Sequence, residues 1–140
     1  MKRKTNILIS IVLTLLFIVC LFLPVVHFVF GKDLMGAEAF VFNFVRLFMV
    51  QDFVEYLKVV STVLSNFFVL VLLIWSFREQ LKFIPTLIIS ILALTTASTW
   101  IFKYADKGVL MFGYWFWLFF IVLLIGFNFY KIKSQKLSRT

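Results

Sequence analysis

The stretch 78-REQLK-82 sets three charges within five residues, between two long and almost purely apolar runs. In a chain of 140 residues that is 64% hydrophobic and only 14% charged, so small a polar island reads as a turn in water between two membrane-crossing helices. Soluble chains run at roughly 45–50% apolar and about 25% charged. A soluble globule of this size has no interior large enough for the apolar surface here, 20 Phe included, and lipid is the solvent that accepts it.

A membrane helix needs about 20 mainly apolar residues to cross about 30 Å of hydrocarbon. The island is flanked by two such segments, about 57–77 before it and about 83–102 after it. Two more lie further out, at about 6–29 and about 109–130. The expected fold is therefore an all-α integral membrane protein. It is one domain over 1–140, with four antiparallel transmembrane helices and a partly ordered outer cap over about 30–56. A connection as short as REQLK suffices for an antiparallel pair. Pro85 falls in the first turn of the third span, where its missing N–H is harmless.

The N-terminus, 1-MKRKTNILISIVLTLLFIV-19, begins like a signal peptide, with a basic start and an apolar run. The run continues beyond signal length with no A-x-A-like cleavage site, so a retained first helix is expected. Cys20 is the one cysteine, which excludes an intrachain disulfide and a thiolate metal cluster. Val19 stands where a lipobox needs a small residue, so lipidation is not expected and Cys20 reads as a small buried hydrophobe.

Orientation follows from the basic residues near the span ends. One side holds Lys2, Arg3, Lys4, Arg78, Lys82, Lys131, Lys133, Lys136 and Arg139 against Glu79, a net of 9 − 1 = +8. The other holds Lys32, Arg46, Lys58, Lys103 and Lys107 against Asp33, Glu38, Asp52, Glu55 and Asp106, a net of 5 − 5 = 0. Both termini and REQLK are thus expected in the cytoplasm, with the chain in the plasma membrane. Cations that flank helix ends speak for topology, and no nucleic-acid partner is expected. In the tail 131-KIKSQKLSRT-140, Lys131, Lys133, Lys136 and Arg139 are expected to meet anionic lipid headgroups.

The first outer loop is too long for a turn and too apolar for a disordered linker. One structure for it is a short β-hairpin, with 25-VVHFVF-30 paired to 39-AFVFNF-44 across the glycine-bearing 31-GKDLMGAE-38. Phe40, Phe42 and Phe44 would then share one strand face. The other is an interfacial helix. Against it, Arg46, Asp52, Glu55 and Lys58 do not gather on one face at 100° per residue. An ordered cap with strand at its start is favoured, with a helix running from about Arg46 into the second span. Pro24, in 21-LFLPVV-26, is expected to kink or end the first helix near Phe22 and to release 25–30 into the cap.

The F-L-P at Phe22–Pro24, the G-x-D-L-x-G at 31–36 and the helix count resemble those of small uncharacterised bacterial four-helix membrane proteins. Those often read F-L-P-W-V, where this chain has Val25. The long-then-short outer loops are also similar to those of claudin-type proteins, but the W-G-L-W and paired-cysteine signature is absent. Neither resemblance implies an activity.

None of the spans holds an ionisable carboxylate or amine well inside it, which speaks against an ion-coupled transporter. Ser61 and Ser65, and Ser90, Ala93 and Ala97 with Thr86, form small-residue faces on the second and third spans. Such faces either pack the bundle or dock another membrane protein. Asn66 is placed to bridge to a neighbouring helix, and Asn128 to face headgroups. His27, alone of its kind, reads as an interfacial hydrogen-bonding group. The cluster 113-GYWFW-117 fits an aromatic belt, or else a hydrophobic pocket under the cap lined by Phe112 and Trp115.

No metalloprotease, nucleophile-elbow or P-loop motif is present, and no cofactor is expected. What this leaves is a non-enzymatic accessory, regulatory or immunity-type subunit that recognises another membrane component, or itself, through the outer cap with His27, Phe40, Phe42 and Phe44 and through the small-residue faces of Ser61, Ser65, Ser90, Ala93 and Ala97. The alternatives are a homo-oligomeric pore and a lipid- or quinone-handling enzyme using Asp52, Glu55 and His27.

Overall fold

A computed structural model describes residues 2–28, 33–104 and 108–137. In chain order these form α1 (Lys2–Phe22), β1 (Pro24–Phe28), β2 (Leu34–Met35), α2 (Gly36–Arg46), α3 (Phe53–Ser76), α4 (Phe83–Tyr104), β3 (Gly108–Leu110) and α5 (Phe112–Leu137). The chain is an all-α membrane-type protein: α1, α3, α4 and α5 each carry a stretch long and apolar enough to cross a bilayer. The small sheet and α2 gather at one end of this bundle.

Pro24 ends α1. It supplies no N–H to continue the ladder and pushes Leu23 out of helical geometry, so α1 stops at Phe22 and the chain runs straight into β1. The first span is accordingly shorter than 6–29. β1 is the middle strand of a three-stranded antiparallel sheet, in the order β2-β1-β3. Pro24 faces Met35 and Val26 faces Leu34, with an irregularity between the two pairs. On the other edge Val26, His27 and Phe28 face Leu110, Val109 and Gly108. The second outer loop, which reads as a bare connection, thus contributes a strand. Residues 108–110 leave the fourth span, which continues past Tyr130 to Leu137 instead.

The expected second hairpin strand at 39–44 is corrected: these residues lie in α2. The period-two Phe40, Phe42 and Phe44 suggest a strand, but the chain buries the small and polar residues one helical turn apart, Ala39 and Asn43. Asn43 Nδ2 donates to the Ala39 carbonyl at 2.8 Å. Glu38 starts the helix by accepting from the Met35 N–H at 3.2 Å, the capping-box contact.

A continuous helix from Arg46 into the second span is corrected too. α2 ends at Arg46 and α3 begins at Phe53, four residues before the expected start. Asp52 sets that start, its carboxylate accepting from the Glu55 N–H at 2.8 Å. The charges that scatter on one helical wheel therefore belong to two helices and the turn between them.

The α3–α4 seam is the most extensive contact in the bundle. Ser65, Ser90, Ala93, Ala97 and Thr86 are all buried, and Ser61 is half-buried. Small side chains let the two backbones approach. Hydroxyls in this low-dielectric seam satisfy themselves on their own helix: Ser65 Oγ donates to Thr62 O, and Ser90 Oγ to Thr86 O, each at 2.7 Å. α5 packs across this pair with Phe120, Ile121 and Leu124, all at most 1% exposed. α1 reaches α5 through Phe17 and Phe120, ring centroids 5.9 Å apart.

Candidate functional site

The two ends of the bundle are built differently. At one end, the cap is tied to the spans by backbone groups. The Gly36 N–H donates to Leu23 O, and the Met111 N–H to Val25 O, each at 3.0 Å. Gly36 has to be glycine, because a Cβ there would lie 2.5 Å from the Cys20 carbonyl oxygen. Val25 and Val26 close the sheet onto the bundle, 5% and 0% exposed.

Beneath the sheet lies an aromatic knot of Trp100, Tyr114 and Trp117, with centroids 5.9–6.3 Å apart. The Tyr114 hydroxyl donates to Ala97 O at 3.1 Å. These rings, with Cys20, Val25 and Asn66, line a cavity of about 20 Å³, room for roughly one water. Phe112 and Trp115, expected to line a ligand pocket here, are 70% and 51% exposed on the outside of α5. Asn66 does not bridge helices; its Nδ2 donates to Thr62 O on its own helix at 3.2 Å. Because the Tyr114 hydroxyl bond is buried, Tyr114→Phe should destabilise the fold by about 0.5–1 kcal/mol. Tyr130→Phe, at a site 60% exposed, should leave the unfolding midpoint in detergent unchanged.

The cap charges engage one another. His27 Nδ1 and Asp33 Oδ1 lie 2.5 Å apart. Arg46 reaches across the α2–α3 turn to Glu55 at 3.2 Å, and its guanidinium stands 5.7 Å from the Phe42 ring centroid. Asp52 is occupied in capping α3. The stretch 44–53, which we call the ledge, carries large exposed apolar side chains, with the Phe44 and Phe48 rings in edge contact at 5.9 Å. Phe44 is 44% exposed, Phe48 80%, Met49 72% and Phe53 72%. Of the residues named from sequence, Phe42 and Phe44 sit on or beside this ledge, Phe40 is half-buried in α2, and His27 lies across the sheet.

At the end opposite the cap a row of polar residues on α5 clasps the end of α3 and the turn after it. Asn128 Nδ2 donates to Leu72 O at 3.0 Å, and Lys131 Nζ to Ser76 O at 2.7 Å and to Arg78 O. Gln135 accepts from the Leu81 N–H at 3.2 Å and donates to Glu79 O. From α1, Ser10 Oγ adds a second donor to Ser76 O at 2.7 Å. Asn128 and Lys131 are 0% and 4% exposed, so neither faces headgroups as the sequence suggests. Helix ends leave carbonyls without intrahelical partners, and in lipid these need protein donors. The spacing 128, 131, 135 on one face of α5 was the signal that sequence reading passed over. Lys133 and Lys136 are exposed, and Arg139 lies outside the described residues.

Among the described residues, neither end brings together a group of three or more potential metal ligands. Comparison with family models, curated proteins and solved structures finds no match. The geometry therefore carries the functional reading alone.

Proposed function

We propose that this chain is a non-enzymatic accessory, regulatory or immunity-type protein of the plasma membrane, acting by contact between its outer cap and another integral membrane protein. The observation that carries this reading is the ledge of Phe44, Phe48, Met49 and Phe53 on a cap that is otherwise tied down and internally neutralised. Exposed aromatics near a membrane are tolerated singly, but four large apolar side chains within ten residues of the cap offer a surface that another membrane protein can cover. The ledge joins the exposed Val54 and Leu57 at the outer start of α3, so its partner has to lie at the bilayer boundary. Apart from the half-buried Ser61, the small-residue faces named from sequence are buried within the bundle, which favours the cap as the contact element.

The orientation belongs to the same proposal. Lys4, Arg78, Lys82, Lys133 and Lys136 collect at the end of the bundle opposite the cap, in keeping with a cytoplasmic inner end. Two features weigh against a homo-oligomeric pore. The bundle interior is filled by side chains such as Leu72, Phe120 and Leu124, and the exposed faces of the spans are dominated by Ile, Leu, Val and Phe. An ion path needs charged or carbonyl rings. An enzyme using Asp52, Glu55 and His27 has little support, because the first two serve helix α3 and the third pairs with Asp33.

A photoreactive phenylalanine analogue at Phe48 should form one discrete protein adduct in native membranes. That adduct should vanish when Phe44 and Phe53 are both replaced by Ser, with the helical signal unchanged. The same probe at Ile74, exposed near the inner end of α3, should capture lipid only. Lipid adducts alone at Phe48 would reject the proposal, and an adduct of the chain with itself would favour the pore.

A further inference from the structure

We propose that the inner end of the bundle holds a specific site for the phosphate headgroup of an anionic phospholipid, in the groove between the α3–α4 turn and the last turns of α5. The groove has a volume of about 300 Å³ and is lined by Leu81, Lys82, Phe83, Ile132, Gln135 and Lys136 among others. This is the low end of the size of ordinary ligand sites, and it suits a headgroup.

The chain brings the two cations together from far apart in sequence. Lys82 closes the turn that Gln135 holds by its backbone, accepting from the Leu81 N–H and donating to Glu79 O. Lys136 follows Gln135 on α5, its ammonium 6.0 Å from the Phe83 ring centroid. The Phe83–Phe129 ring pair, centroids 5.7 Å apart, fixes the start of α4 against α5. The groove is thus a built feature with two exposed lysines at its rim, and not a stretch of loose tail.

The wall and the surface below it select lipid over a free anion. Leu81, Phe83 and Ile132 make the wall largely apolar. From Phe83 an exposed apolar stripe runs down α4 through Ile84 (68% exposed), Leu87, Ile88 and Ile91, a track for an acyl chain below the headgroup. Lysine is a point-charge phosphate binder with rotatable donors, which suits a headgroup that arrives in many orientations. This inference is independent of the partner at the outer cap. It also redistributes the tail cations expected at headgroups: Lys136 gains Lys82 as its neighbour, and Lys131 is withdrawn into the clasp.

The test is native mass spectrometry of the full chain in detergent, titrated with short-chain phosphatidylglycerol, phosphatidylcholine or inorganic phosphate. One phosphatidylglycerol should be retained in preference to phosphatidylcholine. The double variant Lys82→Gln, Lys136→Gln should weaken it by about 30-fold, the loss expected for two headgroup lysines. The charge-matched control Lys4→Gln, Lys58→Gln, at residues that do not line the groove, should change it by less than about 3-fold, since charges remote from a site act weakly on it. Equal loss in the two double variants, or equal retention of the two lipids, would overturn the site. Displacement of phosphatidylglycerol by inorganic phosphate at equal concentration would overturn the lipid assignment.

Discussion

Lys131→Met should lower the unfolding free energy by about 2–3 kcal/mol, measured as a shift of the denaturation midpoint in detergent micelles. The ammonium donates to two backbone carbonyls, Ser76 O and Arg78 O, at the end of α3. Hydrogen bonds to charged groups are worth roughly 1.5–3 kcal/mol each, and a cation at a helix C-terminus adds about 0.3–1 kcal/mol. Against this stands the cost of holding an ammonium that is 4% exposed, which the methionine variant relieves. The loss wins because the carbonyls cannot be removed along with the lysine. Ser76 O, in a buried site, keeps only the Ser10 hydroxyl, whereas Arg78 O, in the exposed turn, exchanges its ammonium donor for water. Methionine fills nearly the same volume, so packing is preserved and the loss isolates the bonds. Lys133→Met, two residues on and exposed, should stay within about 0.5 kcal/mol of the parent. If both variants shift the midpoint equally, the clasp contributes nothing beyond surface charge.

The clasp also shows where sequence reading succeeds and where it stops. REQLK was legible as a turn because three charges between two apolar runs have no other place to go. That it is gripped from α5 was not legible, because a lysine just past the last apolar run looks the same whether it snorkels to headgroups or turns inward. Only the backbone path of the α3–α4 turn decides which. Pro24 was legible because its effect is local: it lacks an N–H and constrains Leu23. The strand at the start of the cap is legible too, whereas the helix at 39–44 is hidden for the opposite reason. Phe40, Phe42 and Phe44 alternate like a strand, yet the chain buries Ala39 and Asn43 against the bundle and leaves two of the three Phe substantially exposed. Near a membrane, exposed aromatics are tolerated, so hydrophobicity no longer marks the buried face and small size does. β3 was invisible for a further reason. A three-residue strand at Gly108–Leu110 acquires its identity from β1, 80 or more residues earlier in the chain.

The largest effect is expected where the outer ends of the spans meet. Gly113→Ala should cost about 3 kcal/mol or more and sharply reduce the yield of folded protein, because a methyl there collides with backbone. A Cβ on Gly113 would run into the Pro24 carbonyl oxygen and lie 2.9 Å from Leu23 Cβ. Neither can swing aside as a flexible side-chain tip would. Pro24 is fixed by its ring and by its place opposite Met35 in the sheet. The first turn of α5 is held in turn by Met111, whose N–H donates to Val25 O, and by Tyr114, whose N–H donates to Met111 O, each at 3.0 Å. Relief therefore requires moving α5 off the end of α1, which would separate β3 from β1 and open the aromatic knot. Gly36→Ala should act in the same direction, against Cys20 O and Leu21 Cα at 2.5 and 3.0 Å. Gly126 supplies the internal contrast. Nothing lies within 4 Å of its Cβ position, on an exposed face in the middle of α5. Gly126→Ala should be neutral or stabilise by up to about 1 kcal/mol, through helix propensity alone. The same chemical change would then act in opposite directions at Gly113 and Gly126, which a general intolerance of the bundle to added methyls would not produce. Folded yield and unfolding midpoint of the three variants, prepared side by side, decide the matter: a Gly113→Ala protein that behaves like Gly126→Ala would mean that α5 does not start against the Pro24 corner.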